Sequence, residues 1–545
     1  MGWVGDDYNG DGTSRELLDN LMKRKLIDFT AALLSLIMPS LYADNLIQVY
    51  CQAVERDPTF LKAHAGWLSA QQDLPIAMSG TGAPGSGLFP YVTITGSLTR
   101  THQRISVRPP NSASGYFNQN GYLVTLTQPI FNYATWKLIS RAHFTVKAAT
   151  TTYIAAAQDL MFRTAQAYFN VLNAYDQLQF TLAQKESFLH QLITAEEKFK
   201  VGLIAITGVY DAQASYDQAV AQEIQDRNNL ANQLENLRAI TGREYRSLAG
   251  LKKIIPLVIP YPRNINAWTI IAERQSYSIQ SVLYTMLAQR ELVKQTAMGW
   301  YPTLTGVITH GTKQQGSPPS LSGSTAADEA GFINTTTTST SGGLNLNFPI
   351  FQGGYVIHST RQEEYNYLSA SQQLNLTHRQ VIQQTRQAYL GVDSGISKIK
   401  ADQQAIVSAQ NKVEATQAGY VVGTRTMVNV LDAVTNLYQA QQQWASDRYT
   451  YIINIIILKQ QAGTLCPQDL LEINSWLGKS VKFDVNKPVT VSKYATKLPA
   501  LPNNNLNNVR EAGLSPARGG KSTRLQHTTL GTPLGGTSST PSVSS

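Results

Sequence analysis

The sequence predicts a mainly α-helical protein in which long antiparallel helical hairpins alternate with β-hairpins. Three observations support this fold class. The stretches VGLIAITGVYDA at 201–212 and VGTRTMVNVLDA at 422–433 resemble each other at an offset of 221 residues, which indicates an internal duplication. Proline is absent from 130–255 and from 350–466 although the chain holds 22 prolines, and such absences favour long helices. Apolar and polar residues alternate before each of these stretches, as is typical of strands.

The composition excludes several classes of function. With 42% hydrophobic and 15% charged residues, the chain is not a disordered polymer. The net charge of +9 comes from scattered basic residues without the clustered stripe that nucleic-acid binding needs, so we predict no nucleic-acid partner. The eight histidines are dispersed without an HExxH motif, and two cysteines cannot form a ligand cluster. We therefore predict no enzyme activity, no metal and no cofactor.

Residues 22–43 have the pattern of a secretory signal peptide, with a KRK triplet, an apolar run and the small residue Ala43 at the cleavage position. The mature chain then begins at Asp44. Residues 1–21 precede the signal and are interpreted as an upstream extension without a structural role. No later apolar run approaches the roughly 20 residues that a membrane helix needs, so any membrane-spanning segments of the mature chain are predicted to be strands.

The first repeat is assigned to residues 44–262. It begins with helical spacing over 45–73, interrupted near Pro58. The Gly- and Pro-rich stretch 75–87 is predicted to be a loop, because it cannot continue a helix. From 91 to 131 the period is two, which predicts a β-hairpin with strands of about ten residues, the length that crosses a bilayer when tilted. The same pattern also fits a fragment of a soluble β-sandwich.

The second repeat, residues 263–477, has the same order, with a helix followed by a β-hairpin over 301–351. Residues 478–545 are rich in Ser, Thr, Pro, Asn and Gly and are predicted to be a disordered tail. Cys51 and Cys466 are too few for a disulfide scaffold, and the sequence leaves open whether they pair.

A long helical hairpin closes each repeat, over 132–242 and 352–463. The stretch from Asn132 to Lys200 has 69 residues and, as one helix, would be roughly 100 Å long. Glycines stand at both turning points and at both ends of the returning helices, where positive φ angles are needed. They are Gly202, Gly423, Gly242 and Gly463.

Each returning helix carries the seam of a coiled coil, with mostly apolar residues at alternating steps of four and three. This period of about 3.5 residues predicts antiparallel helices packed by knobs into holes. The seam positions of the second hairpin are Val430, Val434, Leu437, Gln441, Trp444, Arg448, Tyr451, Ile455 and Leu458. Those of the first are Val209, Gln213, Tyr216, Val220, Glu223, Arg227, Leu230, Leu234 and Leu237.

The four predicted strands constrain the assembly. Four strands cannot close into a barrel, and open strand edges are not tolerated in lipid. If the strands lie in a membrane, the chain has to form oligomers. Two copies would supply eight strands and three would supply twelve, and the sequence pattern leaves both open. The helical hairpins would extend such a barrel as a tube whose far end is ringed by the turning points.

Four strings resemble the TolC outer-membrane channel family: AGYVVGTRTMVNVLDAVTNLY at 418–438, FKVGLIAITGVYDAQASYD at 199–217, AYFNVLNAYD at 167–176 and FPIFQGG at 348–354. The resemblance covers residues 44–477. It implies a mainly α-helical homotrimer in the outer membrane, whose twelve-strand β-barrel is continuous with a periplasmic α-barrel of coiled-coil hairpins. It also implies an exit channel for multidrug efflux pumps and type I protein secretion.

In that family the channel passively conducts substrates from a periplasmic adaptor, the membrane fusion protein, and an inner-membrane pump of the RND, MFS or ABC type. The resemblance therefore implies these partners, together with outer-membrane lipid. It implies adaptor-contacting tips at Val201, Gly202 and Leu203 in one hairpin and at Val422, Gly423 and Thr424 in the other.

The resemblance also implies a gate at the turning points, where helices coil inward and close the tunnel through polar links that break on opening. Thr207, Tyr420 and Arg425 match positions that take part in these links. Asp432 matches the deeper of two aspartate rings at the constriction.

Two residues depart from the family pattern. Gly208 stands where an aspartate accepts hydrogen bonds from the tyrosine and the arginine, and Asn429 stands where the outer aspartate ring is expected. A ring of like charges in a narrow pore attracts cations. With only Asp432 remaining, we expect weaker cation block and a looser resting gate than in members with both aspartates.

A second function fits the same helical pattern, namely a periplasmic or surface coiled-coil structural protein or adhesin without a pore. The β-hairpins would then be soluble additions to the coiled coil and would not enter a membrane. Retention in the outer membrane and conductance across a bilayer separate the two functions.

Overall fold

The computed structural model describes residues 44–80, 87–106, 112–316 and 335–483. The predicted upstream extension and signal peptide lie outside these ranges, as do the middle of the predicted loop at 75–87 and residues 484–545. None of the described helices combines the length and the apolar character needed to cross a membrane.

The described residues form ten α-helices, a 3₁₀ turn at Met298–Trp300 and six strands. The helices are α1 (Leu46–Arg56), α2 (Pro58–Gln71), α3 (Asp73–Ser79), α4 (Tyr133–Lys200), α5 (Ile206–Thr241), α6 (Ile265–Gln275), α7 (Tyr277–Ala297), α8 (Tyr355–Val421), α9 (Met427–Gln461) and α10 (Pro467–Ser475). The strands are β1 (Tyr91–Ser106), β2 (Ser112–Phe131), β3 (Ser247–Leu251), β4 (Thr303–Gln315), β5 (Thr335–Asn347) and β6 (Leu477–Lys482). The predicted order of helix, β-hairpin and helical hairpin appears in both halves.

Strands β1, β2, β4 and β5 form one antiparallel sheet in that order, so β2 and β4 join the two hairpins. Val124 of β2, for example, pairs with Ile94 on one side and His310 on the other. The strands have 16, 20, 13 and 13 residues, so the predicted length of about ten was too short. The alternation of apolar and polar residues ends before the strands do, because the hydrogen bonds between strands join backbone groups and not side chains.

The two faces of this sheet differ in polarity. The register places an apolar set on one face: Val92, Ile94, Leu98, Tyr122, Val124, Leu126, Ile308, Leu344 and Leu346. It places small polar residues on the other: Thr93, Thr95, Thr99, Thr125, Thr127, Thr305, Thr309 and Ser341. The apolar set is largely uncovered, and Leu98 is 83% exposed. Within the described residues β1 and β5 each pair on one side only, so the sheet has two open edges.

Both long helical hairpins are present, as predicted. Helices α4 and α8 have 68 and 67 residues, and the returning helices α5 and α9 have 36 and 35. The glycines expected at the turns and helix ends have φ angles between 65° and 80°, a conformation that a residue without Cβ adopts easily. They are Gly202, Gly242, Gly423 and Gly463.

The predicted seams are buried between the helices. In α9, Val430 and Leu458 are fully buried, and in α5, Tyr216, Leu230 and Leu237 are buried. The heptad spacing therefore located the packed faces correctly in both hairpins.

Two charged seam positions, Glu223 and Arg448, are also buried, and the Glu223 carboxylate is paired. Glu223 accepts hydrogen bonds from Lys185 at 2.5 Å and Arg227 at 2.7 Å. Burial opposes ionisation of Glu223, but these two hydrogen bonds outweigh it and lower the pKa of the carboxyl. The guanidinium carbon of Arg448 lies 4.4 Å from the ring centroid of Trp444. The buried Glu223 carboxylate is tolerated because it is paired, whereas the buried Nε of Arg448 has no hydrogen-bond partner among the described residues.

The main hydrophobic core lies where α1 packs on α4, α5 and α9. Leu46, Tyr168, Leu237 and Ile452 are among its fully buried side chains. The Tyr168 hydroxyl donates to the carbonyl oxygen of Ala249 at 2.7 Å, which ties the short strand β3 to the core.

Strand β6 corrects the predicted tail. It pairs antiparallel with β3, with Ser247 opposite Lys482 and Leu251 opposite Leu477. The prediction of a disordered tail from residue 478 is therefore wrong for 478–482. The polar composition suggested disorder, but the partner strand comes from the distant first half of the chain.

The N-terminal helices follow the prediction up to residue 74 and then depart from it. The break near Pro58 is confirmed: Asp57 accepts a hydrogen bond from the amide of Phe60 at 2.9 Å and pairs with Arg163 of α4 at 2.8 Å. Helix α3 continues to Ser79, so residues 75–79 are not loop. Pro75 lies in the first helical turn, where its missing N–H is not needed.

Both cysteines, Cys51 and Cys466, are free.

The two outgoing helices differ in burial although their lengths are nearly equal. Nineteen side chains of α4 are buried, against six of α8. Large apolar side chains on α8 are about half exposed or more, among them Tyr365, Leu368, Leu376 and Leu390. Within one chain, α8 is therefore packed mainly on one side.

We expect Gly463→Ala to destabilise the fold more than a glycine substitution at an open turn. A φ of 73° costs an L-residue about 1–2 kcal/mol, and the new Cβ would also collide with the carbonyl oxygen of Gln275. Gly353→Ala is the matched control, since Gly353 has a φ of 59° with no atom within 4 Å of an added Cβ. Thermal unfolding followed by circular dichroism should give the larger loss for Gly463→Ala. Equal losses would contradict the steric argument.

Candidate functional site

The two hairpin tips lie at the turns between α4 and α5 and between α8 and α9. The apolar side chains of Val201, Leu203 and Val422 are 69–73% exposed there. A Cβ added to Gly202 or Gly423 would meet no atom within 4 Å. Exposed apolar side chains on well-defined turns are suited to contact with another protein.

The second tip is closed by hydrogen bonds to a single carbonyl. The amide and hydroxyl of Thr424 donate to the carbonyl oxygen of Gly419 at 2.8 and 3.0 Å, and the amide of Arg425 donates to it at 3.2 Å. The Arg425 side chain folds over Gly419, close enough that a Cβ there would collide with it. The ion pairs of the described residues do not include Arg425.

Behind the turns, the two hairpins share a hydrophobic cluster, the tip core. It joins Phe188 and Leu192 of α4, Tyr216 of α5, and Met427 and Val430 of α9. Separating the two tips would expose these side chains to water, so the tip core holds the hairpins side by side.

A cation–π contact joins the hairpins at the tips. The ammonium nitrogen of Lys198, in the last turn of α4, lies 4.1 Å from the ring centroid of Tyr420, in the last turn of α8. Such a contact is worth about 0.5–1 kcal/mol at an exposed site. The Tyr420 hydroxyl is buried without a hydrogen-bond partner among the described residues, and burial raises its pKa.

Within the described part of a single chain, the Tyr420 hydroxyl has no hydrogen-bond partner, so no polar link joins it to the other predicted gate residues. Thr207 is exposed in the first turn of α5. A Cβ at Gly208 would lie 3.6 Å from Ile204 and 3.9 Å from Met427, so a side chain would fit there. In place of a bond to a carboxylate, Tyr420 has the Lys198 ammonium over its ring.

Asn429 has a structural role at the start of α9. Its side-chain oxygen accepts hydrogen bonds from the amide and the hydroxyl of Thr426, at 3.1 and 3.0 Å, in a capping box. Asp432 lies less than one turn further along α9 and is exposed. Of the two positions that the resemblance assigns to aspartate rings, only Asp432 carries a carboxylate.

Sequence reasoning missed Lys198 and the capping box. The pairing of Lys198 with a ring of another helix leaves no sequence signal. The capping box does leave one: Thr426 is followed three residues later by Asn429, whose side chain can bond back to the N-cap amide.

A buried polar link also ties the first helical hairpin together, midway along its length. The hydroxyl of Thr181 on α4 donates to Asp226 on α5 at 2.6 Å. Gln222 donates to the other oxygen of that carboxylate at 2.9 Å. Both carboxylate oxygens are therefore satisfied without any titratable donor.

The second hairpin has a carboxyl pair at the same place, displaced by 221 residues. Gln443 and Lys398 each donate to Asp447 at 2.9 Å, and Asp402 replaces the threonine. Burial is the larger cause that raises the pKa of Asp402 to about 6, and the neighbouring Asp447 raises it as well. Burial also opposes ionisation of Asp447, but hydrogen bonds from Gln443 and Lys398 outweigh it and lower that pKa. A hydrogen bond between the two carboxyls thus requires a proton on Asp402.

The family comparison identifies the fold that carries these tips. The outer membrane efflux protein family, OEP, matches residues 49–243 and 272–464. The chain belongs to the outer membrane efflux protein family. It is an outer-membrane exit channel, of a family that serves efflux and type I secretion, and the family is one of channels rather than enzymes.

Curated relatives of the efflux protein are similar over nearly their whole length. The outer membrane protein TolC of Salmonella enteritidis is 38% identical over 439 residues, covering 81% of this chain and 86% of the relative. TolC of Vibrio cholerae is 32% identical, with 84% and 99% covered. The alkaline protease secretion protein AprF of Pseudomonas aeruginosa is 24% identical, with 82% and 90% covered.

Solved channels of this kind have the same fold at low sequence identity. The CmeC outer membrane channel of Campylobacter jejuni has a TM-score of 0.63 at 20% identity, covering 79% of this chain and 89% of that one. VceC of Vibrio cholerae has a TM-score of 0.61 at 17% identity, covering 77% and 96%. The efflux protein is thus mainly helical with a smaller strand region.

We expect the contact between α8 and α9 to weaken as the pH rises from 5 to 8. The protonated form of Asp402 is favoured in the folded hairpin, so its contribution is present below its ordinary pKa of 3.8 and is lost as the pH rises through about 6. The lowered pKa of Asp447 leaves its own contribution intact over this range. Hydrogen exchange at the two pH values, corrected for intrinsic rates, measures the change, which we expect to be about 1 kcal/mol after screening.

Asp402→Thr copies the first hairpin and should abolish this pH dependence. Exchange in α4 and α5, around Thr181 and Asp226, is the internal control and should not change in the same window. A pH dependence that persists in Asp402→Thr would contradict the assignment to this carboxyl pair.

Proposed function

We propose that three copies of this chain form the channel, with β5 of each copy paired to β1 of the next. The supporting observation is the sheet with an apolar face and two open edges. Each unpaired backbone group in lipid costs several kcal/mol, so such a sheet has to close. Four strands from each of three copies give a twelve-strand outer-membrane barrel.

A trimer fits an exit channel better than a dimer does. The interior of an eight-strand barrel is just wide enough for side chains to fill, whereas larger barrels leave an aqueous channel. The threonine-rich face of the sheet would line this lumen, and the apolar face would contact lipid. The four long helices of each copy would then give a twelve-helix periplasmic α-barrel.

We further propose that residues 44–262 and 263–477 are duplicated repeats, preceded by the signal peptide at 22–43 and the extension at 1–21. The constant offset of 221 residues supports the duplication. The nearly equal lengths of α4 and α8, and of α5 and α9, support it as well.

Aromatic residues support an orientation with the helices on the periplasmic side. Phe131, Tyr133, Trp136 and Tyr301 surround the junction between strands and helices, with ring centroids 5.6–6.1 Å apart. Aromatic side chains are typical of the boundary between hydrocarbon and water. In the proposed assembly, the boundary at this junction is then the periplasmic one.

The tips are proposed to bind a periplasmic adaptor, the membrane fusion protein, which connects the channel to an inner-membrane pump of the RND, MFS or ABC type. Their exposed apolar side chains support a protein contact. The similarity to AprF and to the proteases secretion protein PrtF of Dickeya chrysanthemi, both named for secretion, supports protein export beside efflux. The substrates are then selected by the pump, because a passive duct makes no selection of its own.

We propose that the tips also form the gate. Lys198 and Tyr420 hold the two hairpins of a copy together at the closed tip, in place of the carboxylate that Gly208 lacks. Thr207 follows Lys198 by nine residues, and Arg425 follows Tyr420 by five. Three Asp432 carboxylates, one from each copy, form a single charged ring at the constriction.

Assembly and conductance test the proposed channel. The purified efflux protein in detergent should have a mass near three times that of the mature chain, which lacks residues 1–43 of the 59.9 kDa sequence, and should form discrete conductances in planar bilayers. Divalent cations on the tip side should block them, and Asp432→Ala should relieve the block, because the ring attracts cations. Asp211→Ala, at the matching place in the first hairpin, is the control and should keep the block.

Block unchanged in Asp432→Ala would remove the ring from the proposal. A protein that salt washes from outer membranes and that conducts no ions would instead support the coiled-coil structural protein or adhesin.

Loss of the cation–π contact should loosen the gate. We expect Lys198→Gln to raise the ratio of open to closed channel about two- to fivefold per copy, the equivalent of about 0.5–1 kcal/mol. Tyr420→Phe keeps the ring and removes only an unpartnered hydroxyl, so the gate should stay closed. Lys200→Gln removes a neighbouring exposed charge as a control. Open-state occupancy in single-channel recordings measures all three, and equal effects of Lys198→Gln and Lys200→Gln would contradict the contact's role.

A further inference from the structure

A basic patch lies on the outward face of the first β-hairpin, beyond its apolar residues. It consists of Arg100, His102 and Arg104 on β1, with Tyr116 beside them on β2. All four side chains are exposed. Neither the gate nor the proposed adaptor contact involves this part of the chain.

The register places the patch on the lipid side of the sheet. Side chains of a strand alternate between its two faces, so Arg100, His102 and Arg104 share the face of Leu98 and Ile94. His102 is directly opposite Tyr116. These cations therefore do not point into the threonine-lined interior.

The position along the strand places the patch at the outer boundary of the bilayer. From Val92 to Leu98 the apolar face extends about 20 Å along β1, at roughly 3.4 Å per residue. Opposite Arg100 the partner on β2 is already polar, namely Asn118, whereas Val92 is opposite Leu126. On β2 the change comes one pair earlier, at Asn120 opposite Leu98, so both strands become polar near the same level.

Aromatic contacts organise the patch. The guanidinium carbon of Arg100 lies 5.1 Å from the ring centroid of Tyr116, and the His102 ring centroid lies 4.6 Å from it. Stacking against one ring restricts the side chains that carry the donors, which lowers the entropy lost on binding a ligand. The phenol hydroxyl of Tyr116 is a further donor in the same place.

In the described part of the second hairpin, the outward face beyond His310 carries no basic residue. There β4 has Thr312 and Gln314, and β5 has Thr336 and Thr338. Lys313 is basic but lies on the opposite, inner face.

We propose that Arg100, His102, Arg104 and Tyr116 bind the phosphate groups of a phosphorylated lipid, lipopolysaccharide, in the outer leaflet of the outer membrane. Guanidinium groups bind phosphate through paired, charge-assisted hydrogen bonds. The acyl chains of the same lipid would lie along the apolar band below the patch. One lipid molecule would therefore contact both the basic patch and the apolar band, which are adjacent on the strand. This inference rests on the proposed barrel and its orientation.

Native mass spectrometry of the detergent-purified oligomer tests the site, with lipid A carrying two phosphates as the probe. We expect the double variant Arg100→Gln, Arg104→Gln to bind lipid A at least about tenfold more weakly than the unaltered protein. Lys313→Gln removes a cation from the inner face and should leave binding unchanged. Lipid A from which both phosphates have been removed should bind the unaltered protein as weakly as intact lipid A binds the double variant. Binding should also weaken with added salt.

Equal binding of the dephosphorylated lipid would overturn the site, because apolar contact alone would then explain it. Displacement of lipid A by millimolar inorganic phosphate would identify a free anion as the ligand and would overturn it as well. Oligomer mass and bilayer conductance are recorded for each variant. A double variant that still forms conducting channels but has lost lipid A supports the site, whereas failure of the unaltered protein to form channels would instead reject the proposed barrel.

Discussion

Backbone groups at a strand edge need partners, and in lipid water cannot supply them. In this efflux protein the constraint falls on the outer edges of β1 and β5, because β2 and β4 already satisfy each other. A single chain therefore completes the interior of its sheet but not its borders. Since the outgoing helices α4 and α8 directly follow β2 and β5, the pairing that closes the barrel would also arrange the helical hairpins and their tips around one axis.

Much of the fold follows from local patterns. Proline-free stretches and glycines at the turns located all four long helices, and a 3.5-residue repeat located the buried faces of the two returning helices. The errors concern contacts between distant residues. The polar residues of β1 and β2 remain in the strands because their backbones are paired with each other. Residues 477–482 form strand β6 because they pair with β3. Neither partner can be identified from the composition of the segment itself.

The tips were predictable in position but not in chemistry. The duplicated stretches located the turns to within a residue, and Gly202 and Gly423 have the positive φ angles that their positions require. The partners of Tyr420 were not predictable, because Lys198 lies on another helix. A comparison of the two halves residue by residue would have identified the carboxyl pair, since Thr181 and Asp402 lie at matching places.

The uneven burial of α4 and α8 has a consequence for biogenesis. Helix α4 is packed on several sides within its own chain, whereas α8 leaves leucines such as Leu368 and Leu390 in water. An unassembled copy thus buries many apolar side chains of α4 but exposes apolar side chains of α8 to water. Completion of the second hairpin would then depend on subunit concentration, and between export and assembly the exposed leucines of α8 would be the surface that periplasmic chaperones and proteases meet first.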